Sequence, residues 1–67
     1  MKVLRFDRSG DYYECTGEDA LVVSSILDLH PVTQTDPPYT HAGVPVFEAP
    51  RAFAMLVAEG YAVEVRD

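Results

Sequence analysis

Between Pro50 and Gly60 the chain carries only two charged residues, Arg51 and Glu59, and from Tyr61 it switches abruptly to strict alternation. The first stretch reads as a helix opened by Ala49-Pro50, because proline suits a first helical turn, and closed by Gly60, a common C-terminal stop. The second reads as a strand with Tyr61, Val63 and Val65 facing inward and Glu64 and Arg66 outward. A helix that runs into a strand across a single glycine must fold back on it. The chain is therefore committed to layered α and β structure.

The other segments fit that frame. Lys2 to Phe6 predicts a strand, Asp7-Arg8-Ser9-Gly10 a tight turn with glycine free to take positive φ, and Asp11 to Cys15 the antiparallel return. In that return strand Tyr13 and Cys15 share one face, and Tyr12 and Glu14 the other. Thr16-Gly17-Glu18-Asp19 has the outline of a helix start, with Thr16 capping and two acids at the positive end of the dipole. Val22, Val23, Ile26 and Leu27 then form a helical stripe with Leu29 beside it, although the paired valines also suit a strand over Leu21–Ile26. His30 before Pro31 predicts the stop.

After His30 comes HPVTQTDPPYTHAG, residues 30–43, with three prolines, three threonines and no hydrophobic period. It predicts a long loop, with Asp36-Pro37-Pro38-Tyr39 extended as polyproline, and connections of that length are frequently functional. Val44–Glu48 predicts a third strand, placed on an edge by Pro45. Strand, helix and strand from Val44 to Arg66 have the length of a right-handed crossover, so those two strands should be parallel neighbours. The expected fold is a single α+β domain over residues 1–67: a small two-layer sandwich with a mixed four-stranded sheet, order ββαβαβ, and both helices on one face.

A domain of 67 residues buries only about 60% of its unfolded surface and holds a margin of about 3–5 kcal/mol without a covalent or metal staple. Cys15 is alone, so no internal disulfide is possible, and a lone thiol suits a reducing, cytoplasmic setting. The opening MKVLRFDRSG lacks the apolar run of a signal peptide, and no stretch approaches a membrane span. The net charge of −6 is unevenly spread, +2 over residues 1–8 and −8 over residues 9–67. Such a balance repels phosphate backbones, and the expected partners include neither nucleic acid nor membrane.

Cys15, His30, Asp36 and His41 supply the thiol, the imidazoles and a carboxylate from which a small metal-dependent or thiol enzyme could be built. Their spacing lacks the tight ligand pairs of zinc sites, and nothing implies a bound cofactor. Ala54, Met55 and Ala58 extend the apolar surface of the second helix beyond what one sheet face needs, and Arg51 stands against the helix dipole. With Tyr39 and His41 from the 30–43 loop, Arg51, Ala54, Met55 and Ala58 form the expected partner-binding set. The leading expectation is a small acidic accessory or regulatory protein that binds itself or another protein. An acidic inhibitor of a nucleic-acid-handling protein is the further alternative.

Overall fold

The computed structural model describes residues 2–35 and 38–67. Its strands are β1 (Val3–Ser9), β2 (Tyr12–Thr16), β3 (Val32–Thr35), β4 (Pro38–Pro45) and β5 (Ala62–Arg66). Helix α1 is Glu18–Leu27 and helix α2 is Ala49–Ala58, with a single 3-10 turn at Val46–Glu48 leading into α2. The class is α+β as the alternating periods require, with a mixed five-stranded sheet ordered β3-β4-β2-β1-β5.

The N-terminal hairpin forms as its sequence dictates. Gly10 takes φ 61°, a conformation side chains disfavour, and lets β2 return antiparallel to β1 with Asp7 opposite Glu14 and Ser9 opposite Tyr12. The sheet departs from expectation on both sides of this hairpin. Residues 30–43, expected as a loop, contribute β3 and most of β4, which pair antiparallel from Val32↔His41 to Thr35↔Pro38. Thr33, Thr35, Tyr39 and Thr40 are strand formers whose preference prevails over the surrounding prolines. The Thr33 and Thr40 hydroxyls approach to 3.3 Å across the pair. The polyproline expectation falls partly on residues 36 and 37, outside the described residues, while Pro38 and Tyr39 belong to β4.

The predicted third strand over Val44–Glu48 is likewise shifted: β4 ends at Pro45, and Val46–Glu48 turns into α2. Strands β4 and β5 run in the same direction but are not neighbours, because β2 and β1 lie between them. The local β3–β4 pairing occupies the free edge of β4, so β5 docks instead on β1, in parallel from Val3↔Ala62 to Asp7↔Arg66.

Helix α1 starts on Gly17 at φ 66° with no side-chain cap, so Thr16 does not play the predicted role; it pairs with His41 at the end of β2. The link to the sheet comes from Asp19, whose Oδ2 accepts the backbone N–H of Arg5 at 3.1 Å. The helix stops at Asp28 in the left-handed region, before the predicted His30, and Leu29 N–H donates back to the Ser24 carbonyl at 2.9 Å.

Both helices pack on one face of the sheet. Leu4, Phe6, Cys15, Ala42 and Val44 from the strands meet Ala20 and Val23 of α1 and Ala49, Ala52 and Leu56 of α2 in one buried cluster. On α2 the inward positions are Ala49, Ala52 and Leu56, whereas Val57 is largely exposed. Small side chains at 49 and 52 let the helix approach closely, and Phe53 packs at its flank against Phe6, ring centroids 4.9 Å apart, and Tyr13, 5.6 Å apart. Among the described residues no helix is long and apolar enough to cross a membrane.

Candidate functional site

With both helices on one side, the other side of the sheet has no protein cover among the described residues. The pleat sends Tyr12, Glu14 and Thr16 of β2 to this bare face, with Tyr39, His41, Gly43 and Pro45 of β4, Arg5 and Asp7 of β1, and Glu64 and Arg66 of β5.

The face divides by chemistry. Toward β5 the charges neutralise one another: Arg66 Nε lies 3.0 Å from Asp7 Oδ1 with a second contact of 3.2 Å to Oδ2, and Arg5 Nε lies 3.3 Å from Glu64 Oε1. Toward β4 the surface is aromatic. The Tyr39 and His41 rings are 5.4 Å apart, and His41 Nδ1 stands 4.0 Å from Glu14 Oε2. Tyr12 is half exposed and lies beside Gly43, where an added Cβ would sit 3.4 Å from the ring's Cδ1. With no side chain of its own, Gly43 leaves room for the Tyr12 side chain to lie alongside its strand. Together these groups offer flat π surfaces, an imidazole and a carboxylate able to accept hydrogen bonds.

The residues expected to bind a partner fall into two separate places. Tyr39 and His41 are on the bare face. Arg51, Ala54, Met55 and Ala58 are on α2 in the other layer, where Arg51 and Met55 border an open groove of about 160 Å³ with Leu27, Leu29, Pro45 and Ala52. Those two groups form no single site.

The enzyme alternative is not assembled either. Cys15 faces the core and His41 the bare side, His30 is exposed, and Asp36 lies outside the described residues. Burial pushes the Cys15 thiol up to about 11, with the Asp19 charge adding to the shift, and its S–H points to the Ala42 carbonyl at 3.7 Å. A buried thiol held protonated is a poor nucleophile and a poor metal ligand. Among the described residues no three His, Cys, Asp or Glu side chains come together as a metal site.

From the sequence, Tyr12 and Glu14 share one face of their strand, and stacking of Tyr12, Tyr13 and Tyr39 on single-stranded nucleic acid is set aside because the chain has little positive charge to build a groove beside them. The alternation of β2 carried that signal. The pairing of Glu14 with Gly43, and the contact of Tyr12 with Gly43, depend on the β2–β4 register, which no local pattern announces.

The result is a two-layer α+β module with one face closed by helices and the other presenting exposed rings. Its family is established by the sequence: the chain belongs to the MutS domain I family, whose model matches residues 1–67. It is 39% identical over 64 residues, 90% of the chain, to the DNA mismatch repair protein MutS of Thermodesulfovibrio yellowstonii. It is 40% identical over 60 residues, 87% of the chain, to the DNA mismatch repair protein MutS 1 of Halobacterium salinarum. The chain spans 7% of the length of these curated relatives.

This membership corrects the functional expectation. A generic acidic regulator acting by protein binding, a thiol or metal enzyme, and an acidic inhibitor all give way to a domain of a DNA repair family, and the exclusion of nucleic acid falls with them. Net charge describes the whole chain and does not decide which partner one face can meet.

Proposed function

We propose that this chain contacts DNA through the bare face of its sheet, with Tyr12 stacking on a base and Glu14 accepting a hydrogen bond from a base edge. The observation that carries the reading is the half-exposed Tyr12 ring beside Gly43, with Glu14, His41 and Tyr39 on the same face. Tyr39 and His41, first expected to meet a protein, belong to this surface as a second aromatic contact. The names of the relatives support DNA mismatch repair as the setting, and a cytoplasmic location accords with it.

Physical chemistry favours a mismatched site over a matched one here. Placing an aromatic ring against a base requires that base to leave its normal stack, which costs a few kcal/mol and least where pairing is already defective. The paired Arg5 and Arg66 contribute little phosphate attraction, so the contact selects deformable DNA more than it attracts DNA in general.

The test is a titration of isotopically labelled chain with a short duplex carrying one mismatch, and with its matched counterpart. Amide shifts should concentrate at Tyr12, Glu14, Tyr39, His41 and Gly43, and be stronger with the mismatch. Shifts confined to α1 and α2 would overturn the assignment of the face.

A further inference from the structure

Tyr12 also borders a second feature that the stacking surface does not use. At the end of the sheet an open cleft of about 480 Å³ runs between the β1–β2 turn and the 3-10 turn, lined by Arg8, Asp11, Tyr12, Pro45, Val46 and Phe47. Phe47 is 83% exposed, the most exposed large apolar side chain among the described residues. It is not on a loose segment: Pro45 fixes the entry at φ −56°, and Val46 N–H donates to the Asp11 carbonyl at 2.8 Å, tethering the 3-10 turn to the hairpin.

Arg8 completes the cleft. Its Nε donates to the Gly10 carbonyl at 3.1 Å and its guanidinium stands 5.9 Å from the Tyr13 ring centroid, so the group is oriented by uncharged neighbours. Lys2, Arg5 and Arg66 are all ion-paired, but Arg8 has no carboxylate within ion-pair distance among the described residues. An exposed ring and an unneutralised guanidinium in one cleft match the two halves of a nucleotide, an apolar base and an anionic phosphate.

We propose that this cleft receives a second nucleotide of the same DNA, its base against Phe47 and its phosphate at the Arg8 guanidinium. The inference rests on the reading that Tyr12 stacks on DNA, since Tyr12 borders both the bare face and the cleft and so brings a neighbouring nucleotide within reach. The Asp11 carboxylate disfavours a phosphate on its own side and accepts hydrogen bonds from base amino groups.

The experiment measures binding of the full chain to a short mismatched duplex with 2-aminopurine beside the mismatch, across a salt series. Phe47→Ala should weaken binding roughly 5- to 150-fold and remove the 2-aminopurine response. Phe47→Leu, which keeps apolar bulk without a π face, should lose nearly as much. Arg8→Gln should lower the slope of log affinity against log salt by about one. Both side chains are exposed, and far-UV circular dichroism checks that each variant is folded. If the Phe47 and Arg8 variants keep wild-type affinity and slope while Tyr12→Ala weakens binding, the cleft inference fails and the proposed function stands. Full binding by Phe47→Leu overturns the stacking at Phe47. If neither Tyr12→Ala nor the cleft variants change binding, or no binding is seen, both readings fail.

Discussion

Replacing Asp19 with alanine should cost the fold close to half of its stability, although the residue lies in no buried core. Asp19 Oδ2 accepts the Arg5 backbone N–H at 3.1 Å, and that hydrogen bond ties the first turn of α1 to β1 where the described β1–β2 pairing no longer extends. A hydrogen bond to a charged group contributes about 1.5–3 kcal/mol, and a carboxylate in the first helical turn adds about 0.3–1 kcal/mol. The carboxylate is 20% exposed and Arg5 more so, which places the sum near the lower end, at about 2 kcal/mol. The Lys2 contact at 3.6 Å adds little, because exposed ion pairs contribute under about 1 kcal/mol. Against a margin of about 3–5 kcal/mol for a chain of this size, the variant should melt about 8–16 °C lower. Urea unfolding followed by far-UV circular dichroism measures this directly: the midpoint should fall with the slope unchanged. Asp19→Asn, which keeps an acceptor oxygen, should recover about half of the loss. A loss under about 0.5 kcal/mol for the alanine variant would show that water satisfies the Arg5 N–H equally well, and would refute the tether.

Other consequences are as specific. Ser24 is 5% exposed and its hydroxyl has no hydrogen-bond partner among the described residues, so Ser24→Ala should stabilise the chain by about 1 kcal/mol in the same urea assay. Cys15 has a pKa raised from 9.0 to about 11, so the native state keeps a proton that the unfolded chain releases between those values. The associated stability, on the order of 2–3 kcal/mol, is fully present below pH 9 and lost as pH rises toward 11, and Cys15→Ala should flatten that part of the profile. Gly43→Val should leave stability unchanged or raise it by up to about 1 kcal/mol through strand preference, while its branched side chain displaces Tyr12 and weakens DNA binding measured by anisotropy.

Much of the architecture is written in local pattern. The alternation of Tyr61 to Arg66, the Asp7–Gly10 turn and the apolar run after Pro50 each specify their own element. The β3–β4 pair was not legible in this way. Its proline and threonine content resembles a loop, and its strands exist because β4 finds the edge of β2, a contact about 27 residues distant at Cys15↔Ala42. Once β3 takes the outer edge of β4, β5 is sent to β1, so one misread segment altered both strand count and sheet order.

The site was hidden for a related reason. The apolar surface of α2 drew attention because it is continuous in sequence, whereas the aromatic face is assembled from β2 and β4 across the ladder. Net charge misled in the same direction. It is a property of the whole chain, and three of its cations are already held by Glu18, Asp19, Glu64 and Asp7. A charge count over the whole chain does not register where exposed rings gather on one face.

The most direct test compares Tyr12→Ala with Tyr12→Phe for binding to mismatched and matched duplexes at fixed salt. Base stacking on an aromatic ring contributes about 1–3 kcal/mol, so the alanine variant should bind the mismatch roughly 5- to 150-fold more weakly and lose its preference over matched DNA, while phenylalanine retains both. Wild-type preference in the alanine variant, or equal losses in the two variants, would contradict a stacking role for Tyr12.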